Sequence, residues 1–312
     1  YEYGSEGYEI KYTNYLYNHP EVHRFVRTNE QMQAAQQYLD EINEIKETAT
    51  PPADKLNNDK HVSISGYYDE NHRLLSRNNN ELIKYDEQGR VQNIIKLGKN
   101  ATFYDETGKK IFSAADNNLF VVSETRYTYN GNTAIEQMYD YAGNEIGEPR
   151  IITIDSNEKI EGENVRQNGT GDCWYISSMI SYSGTSGGEQ AFKDAIEQLP
   201  NGDFKVQLYA PIVNEQGKVI GYENEKTDYI VTQAELFNIL ILDSPYAKGD
   251  IDAVIMERAK EQQYDNATKE QFRLNGLPRY NANYGPNRPY CQTENDNMCE
   301  LSYALFGGDA KT

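Results

Sequence analysis

Hydrophobic positions recur along this chain with two different periods, and the change of period divides it. Between Thr28 and Glu47, the residues Met32, Ala35, Leu39 and Ile42 fall on one face of a helix. Thr28 and Gln31 have the spacing of a capping box at its start. The apolar stripe is narrow, which predicts a helix lying on another element. The run Thr48-Ala49-Thr50-Pro51-Pro52 ends it and serves as a linker, because a residue before proline is pushed out of the helical region. Residues 1–27 are polar and aromatic without a clear period.

Residues 61–153 alternate with a period of two, and they repeat. Tyr68-Asp69-Glu70-Asn71, Tyr85-Asp86-Glu87-Gln88-Gly89-Arg90, Tyr104-Asp105-Glu106-Thr107-Gly108-Lys109 and Tyr139-Asp140-Tyr141-Ala142-Gly143-Asn144 share one theme. A strand ends at Tyr, Asp opens a tight turn, and Gly takes the position with positive φ. In the first copy His72 stands where the others have Gly. One hairpin per unit predicts an antiparallel meander. The theme resembles the YD-type repeats of bacterial surface and toxin-shell proteins, although any antiparallel meander can reuse such turns.

From Ile154 onward the pattern becomes mixed. Helices are expected near 173–183, 189–198, 232–241 and 250–262, and Asn214-Glu215-Gln216-Gly217-Lys218 reads as a hairpin turn. In the last helix Asp250 is the expected N-cap, and Ile251, Val254, Ile255 and Ala259 form the expected core stripe. The fold class that follows is α+β, in three segments: a helical segment with a Pro linker (1–60), a β-hairpin repeat domain (61–153) and a mixed region (154–312).

Composition narrows the function. The chain has 312 residues and a formal net charge of -19, spread along its length. That disfavours nucleic acid as a partner, since the phosphate backbone calls for a basic stripe. The longest apolar stretch, Ala234 to Leu242, is interrupted by Glu235 and Asn238, so no membrane span is expected. Tyrosine, at 26 residues, suits half-exposed β-surfaces. The chain opens at Tyr1 without an initiator Met, which reads as a processed chain that has lost any targeting segment. The lean is towards a bacterial secreted or envelope protein.

The chemistry is concentrated in Gln167-Asn168-Gly169-Thr170-Gly171-Asp172-Cys173-Trp174-Tyr175-Ile176. Two glycines precede a cysteine, and an apolar helical run follows. Cys173 is therefore expected at a helix N-terminus, where unpaired N–H groups and the helix dipole favour the thiolate. A thiolate attacks carbonyl carbon. The Gln167 amide, with the Cys173 backbone N–H, can hold the resulting oxyanion. A small buried core thiol is the competing reading for a lone cysteine. Cys291 and Cys299 are either a short-loop pair or two free thiols.

This string resembles the active-site signature of the calpain family of papain-type cysteine peptidases, in which a Gln lies six residues before the cysteine of a Gly-Asp-Cys-Trp sequence. Two further landmarks follow in order. Ala253-Val254-Ile255-Met256-Glu257-Arg258-Ala259-Lys260 is similar to a later calpain helix, and Tyr303-Ala304-Leu305-Phe306-Gly307-Gly308 resembles the segment ending in Gly-Gly. The resemblance covers about residues 160–312. It implies Cys173 as nucleophile, Gln167 as oxyanion donor, Trp174 as a packing residue beside the site, and a helical cysteine-bearing lobe for 154–312.

Departures from the family are specific. Its base histidine and orienting asparagine come after the Gly-Gly landmark, and the four histidines here (His19, His23, His61, His72) all lie upstream. The missing lobe is sequence beyond Thr312, a second chain released by a cut near Lys311–Thr312, or, in a non-catalytic remnant, absent. Where calpains carry a calcium-site Asp, nine residues before the cysteine, this chain has Asn164 beside Glu163, and where they carry a helix Trp it has Asp252. No cofactor is required on this reading; calcium stays an option and metal ligands are unassigned. The expectation is a cysteine endopeptidase, as zymogen or autoprocessed chain, acting on protein or peptide substrates. The repeat domain would then be a prodomain, cover or targeting module. The alternative is a non-catalytic β-repeat binding or shell protein on a peptidase-derived scaffold.

Overall fold

The computed structural model describes residues 29–49, 66–69, 73–98, 101–104, 110–114, 120–140, 142–168, 173–213, 219–242, 246–275, 301 and 304–306. The segment 1–27, Thr28 of the expected capping box, all four histidines, Cys291, Cys299, the turns 105–109 and 214–218, Tyr303, and the Gly307-Gly308 and Lys311–Thr312 positions lie outside these residues.

Helix α1 (Asn29–Thr48) matches the first apolar stripe. Ala35 and Ile42 are buried against Leu82, Ile95 and Leu97, with Tyr38, Leu39 and Ile45 packing at the margin. The helix therefore lies on a sheet, as its narrow stripe requires.

That sheet is antiparallel and seven-stranded: β1 (Gly66–Tyr68), β2 (Leu74–Arg77), β3 (Glu81–Tyr85), β4 (Val91–Gly98), β7 (Phe120–Asn130), β8 (Thr133–Asp140) and β9 (Glu145–Thr153), in that spatial order. Between β4 and β7 the chain leaves it as a separate hairpin, β5 (Ala101–Tyr104) with β6 (Lys110–Ala114). The Asp turns work by a shared mechanism. The Asp86 carboxylate accepts from Gln88 N at 3.0 Å, Arg90 N at 2.9 Å and Arg90 Nε at 2.8 Å, while Gly89 sits at φ +78°. Asp140 accepts from Ala142 N and Asn144 N, with Gly143 at φ +83°. In the first copy Arg73 N and Arg73 Nε donate to Asp69 at 2.8 and 2.7 Å. The Asp therefore organises the turn whether or not Gly follows. The opposite end of the β2–β3 hairpin turns through Asn78 and Asn79, both at positive φ, a left-handed turn that sequence reading passed over.

The rest of the described chain packs on the other face. Helices α2 (Cys173–Ser183), α3 (Ser186–Ala195), α4 (Gln233–Ile241) and α5 (Ile251–Asn275) surround a three-stranded antiparallel sheet, β10 (Ile196–Gln198), β11 (Phe204–Val213) and β12 (Val219–Val231). The helix expected over 189–198 thus lies three residues earlier, at Ser186–Ala195. Thr185 caps α3 through Gly188 N, and Ile196 turns to extended backbone to pair with Val206. A β-branched residue with a strand waiting beside it leaves the helix. Thr232 and Glu235 form a complete capping box for α4.

One apolar cluster runs through both parts, from Leu74, Ile83, Val91, Tyr127 and Ala134 to Phe237, Val254 and Ile255. Phe237 meets Tyr129 edge-on at 5.0 Å. Asn238 spans the junction, accepting from Val91 N and donating to Gly89 O, both at 2.8 Å. Arg77 donates to Leu242 O at 3.3 Å. The architecture is mixed helix and sheet: an antiparallel meander held between α1 on one face and a helical body on the other.

Candidate active site

Helix α2 opens at Cys173, so the backbone places this residue where the sequence pattern expected it, in the first turn of an eleven-residue helix. Cys173 and Trp174 are described by their backbone alone, and Gly169–Asp172 lie outside the described residues. The helix is anchored from below. Tyr175 is wholly buried, its hydroxyl donating to Met256 O at 3.4 Å, and Ile176 and Met179 enter the main core.

Gln167 is exposed. It follows an isolated antiparallel bridge in which Arg166 and Lys248 exchange N–H···O bonds, both at 2.9 Å. The strand leading to Gln167 is thereby tied to the residues that open α5.

Two carboxylates extend this attachment. Asp250 caps α5 through Ala253 N at 2.9 Å and also accepts from Glu161 N at 2.8 Å. Asp252, only 1 % exposed, accepts from Ser156 Oγ at 2.5 Å, Asn157 N at 3.0 Å and Lys159 N at 3.3 Å. Burial pushes its carboxyl up to about 6, against the downward pull of the bonds from Ser156, Asn157 and Lys159, and neighbouring Asp250 adds to the rise. Between the two chains Gly249 has φ +97°, and a Cβ there would fall well inside contact distance of Asn164 O. Only glycine fits such a crossing.

The single stripe expected for α5 understates it. Residues 252–257, 259, 260 and 263 are all buried, charged ones included. Glu257 accepts from Ala247 N at 2.6 Å, Lys260 donates to Gln263 at 2.8 Å and stands 6.0 Å from the Tyr175 ring, and Gln263 donates to Tyr209 O at 3.0 Å. Over 252–263 the helix is packed against α2, β11 and β12, and its buried polar groups are satisfied inward. Sequence reading saw Asp252 only as a departure from a family pattern. The available signal was a carboxylate on a helix otherwise apolar at its start.

All three landmarks contribute to one core: Tyr175, Ile176 and Met179 of α2, Ala253 to Met256 and Ala259 of α5, and Leu301, Ala304 and Leu305 near the end of the chain. Phe306 lies 6.2 Å from Tyr182.

Asn164, nine residues before Cys173, donates its side-chain amide to Glu161 at 2.7 Å, and its backbone carbonyl oxygen is the atom packed against Gly249. Among the described residues no group of three or more His, Cys, Asp or Glu is placed to hold a metal ion. No helix among them is long and apolar enough to cross a membrane.

Comparison with known protein families, with curated proteins and with solved structures finds no match to this chain.

Proposed function

We propose that this chain is the cysteine-bearing part of a calpain-like, papain-type cysteine endopeptidase. The observation that carries the proposal is the opening of α2 at Cys173, on a body where the Gln167 strand, α5 and the 301–306 segment meet. A helix N-terminus lowers the thiol's proton affinity.

In this reading the Cys173 thiolate attacks a peptide carbonyl, and the carbonyl π pair moves onto oxygen. Gln167 and the Cys173 N–H donate to that oxyanion. Collapse breaks the C–N bond, and the departing amine takes the proton that a histidine first removed from the thiol. Water then hydrolyses the thioester and restores the thiol. The histidine, and the asparagine that orients it, come from outside the given residues.

With the His/Asn lobe present, iodoacetamide at about pH 6, where only an activated thiol is ionised, is expected to label Cys173 ahead of Cys291 and Cys299. Cys173→Ala is expected to abolish self-cleavage and peptide hydrolysis. Turnover that persists in Cys173→Ala ends the reading.

A binding or shell protein carried by the β-repeats is the second reading. It is favoured by exposed apolar side chains on β8 and β9, among them the cross-strand pairs Ile135–Ile151, with Ile151 68 % exposed, and Met138–Ile146. An unreactive Cys173 would favour it.

A further inference from the structure

Residues 248–252 grip the irregular segment that leads to Gln167 at several positions along its length. Asp252 takes Ser156, Asn157 and Lys159; Asp250 takes Glu161; Gly249 lets Asn164 pass; Lys248 pairs with Arg166. The next residue is Gln167. Both carboxylates are buried. The oxygens of Asp252 go to this segment. An apolar residue in that place would leave two backbone N–H groups of a structure-poor segment without their acceptor.

We propose that Asp252, with Ser156 as its main partner, is a positioning residue for Gln167: it holds the segment 156–166 in register on α5, so that the Gln167 amide is aimed before any substrate arrives. This rests on the peptidase reading above. An oxyanion donor acts only when its N–H is held near hydrogen-bonding distance of the developing charge, and a misplacement of about 1 Å can cost roughly 100-fold. A surface glutamine on an untethered strand would not be held to that tolerance. The α5 clamp supplies the tether without touching the reacting atoms.

The test separates two reactions of one sulfur atom. Alkylation by iodoacetamide forms no oxyanion, whereas addition to a tripeptide aldehyde forms a tetrahedral oxyanion that needs the donor. Both are measured with the His/Asn lobe present, the aldehyde through the protection it gives Cys173 against iodoacetamide. Gln167→Ala is expected to lower aldehyde affinity by about 100-fold and leave the alkylation rate unchanged. Asp252→Ala is expected to show the same split, roughly tenfold or more, and to add nothing in combination with Gln167→Ala. Asp252→Asn is expected to restore wild-type behaviour, because its Oδ1 can accept both N–H groups and its Nδ2 can donate to Ser156. Ser156→Ala removes one donor and decides the question if Asp252→Ala does not fold. A split in Gln167→Ala with wild-type ratios in Ser156→Ala, and in Asp252→Ala where that variant folds, overturns the positioning role alone. Wild-type aldehyde affinity in Gln167→Ala overturns the oxyanion assignment, and the positioning role with it.

Discussion

Asp252 is a carboxylate that helix α5 has taken out of water, and its proton should be visible in stability. Its folded value near 6 stands above the ordinary 3.8. Between those values the folded chain holds a proton that the unfolded chain has released, so stability falls as pH rises through the window and levels off above about pH 6. The full effect is about 3 kcal/mol at 1.36 kcal/mol per pH unit. The protonated form fits the site, since Oδ1–H can donate to Ser156 while Oδ2 accepts from Asn157 and Lys159. Urea unfolding from about pH 4 to 7 is expected to show this decline in the native chain and a nearly flat line for Asp252→Asn. A decline of equal size in Asp252→Asn would assign the effect to another group.

Among the elements, the hairpins depend on their aspartates more than on their glycines. Asp86 satisfies two backbone N–H groups and the Arg90 guanidinium. Arg90 in turn lies 4.2 Å from the Tyr129 ring, so the turn is bound to the next strand of its own sheet. Asp86→Ala strips acceptors from a half-buried turn and should cost about 2 kcal/mol. Asp86→Asn, which keeps one acceptor, should cost less. Denaturant midpoints measure both, and equal midpoints for Asp86→Ala and the native chain would refute this account of the turn. This mechanism was legible in the recurrence of Tyr-Asp before a polar or basic residue. The Asn78-Asn79 turn was equally written in the chain but was not read.

Across the whole molecule, the meander and the helical body share one interior. Leu74, Ile83 and Val91 continue into Phe237, Val254 and Ile255, and Asn238 closes the seam with two hydrogen bonds. The expected outcome is one cooperative transition, with far-ultraviolet circular dichroism and Trp174 fluorescence changing together. Asn238→Ala should lower both by the same amount, about 1 to 3 kcal/mol, because it leaves the N–H of buried Val91 and the half-buried Gly89 carbonyl without partners. Two separate transitions, only one of them shifted by Asn238→Ala, would show that the parts fold independently.

What the sequence determined by itself was local. Period, caps and turn residues act over a few neighbours, so α1, the Asp turns, the start of α2 at Cys173 and the Asp250 cap could be read along the chain. Only the tertiary structure decided which surfaces are shared. Ile196 is helical or extended according to whether Val206 lies beside it. Asp252 is a surface charge or a buried clamp according to whether the strand before Gln167 crosses α5. Burial and long-range hydrogen bonds depend on residues tens of positions away, and no local pattern carries that information.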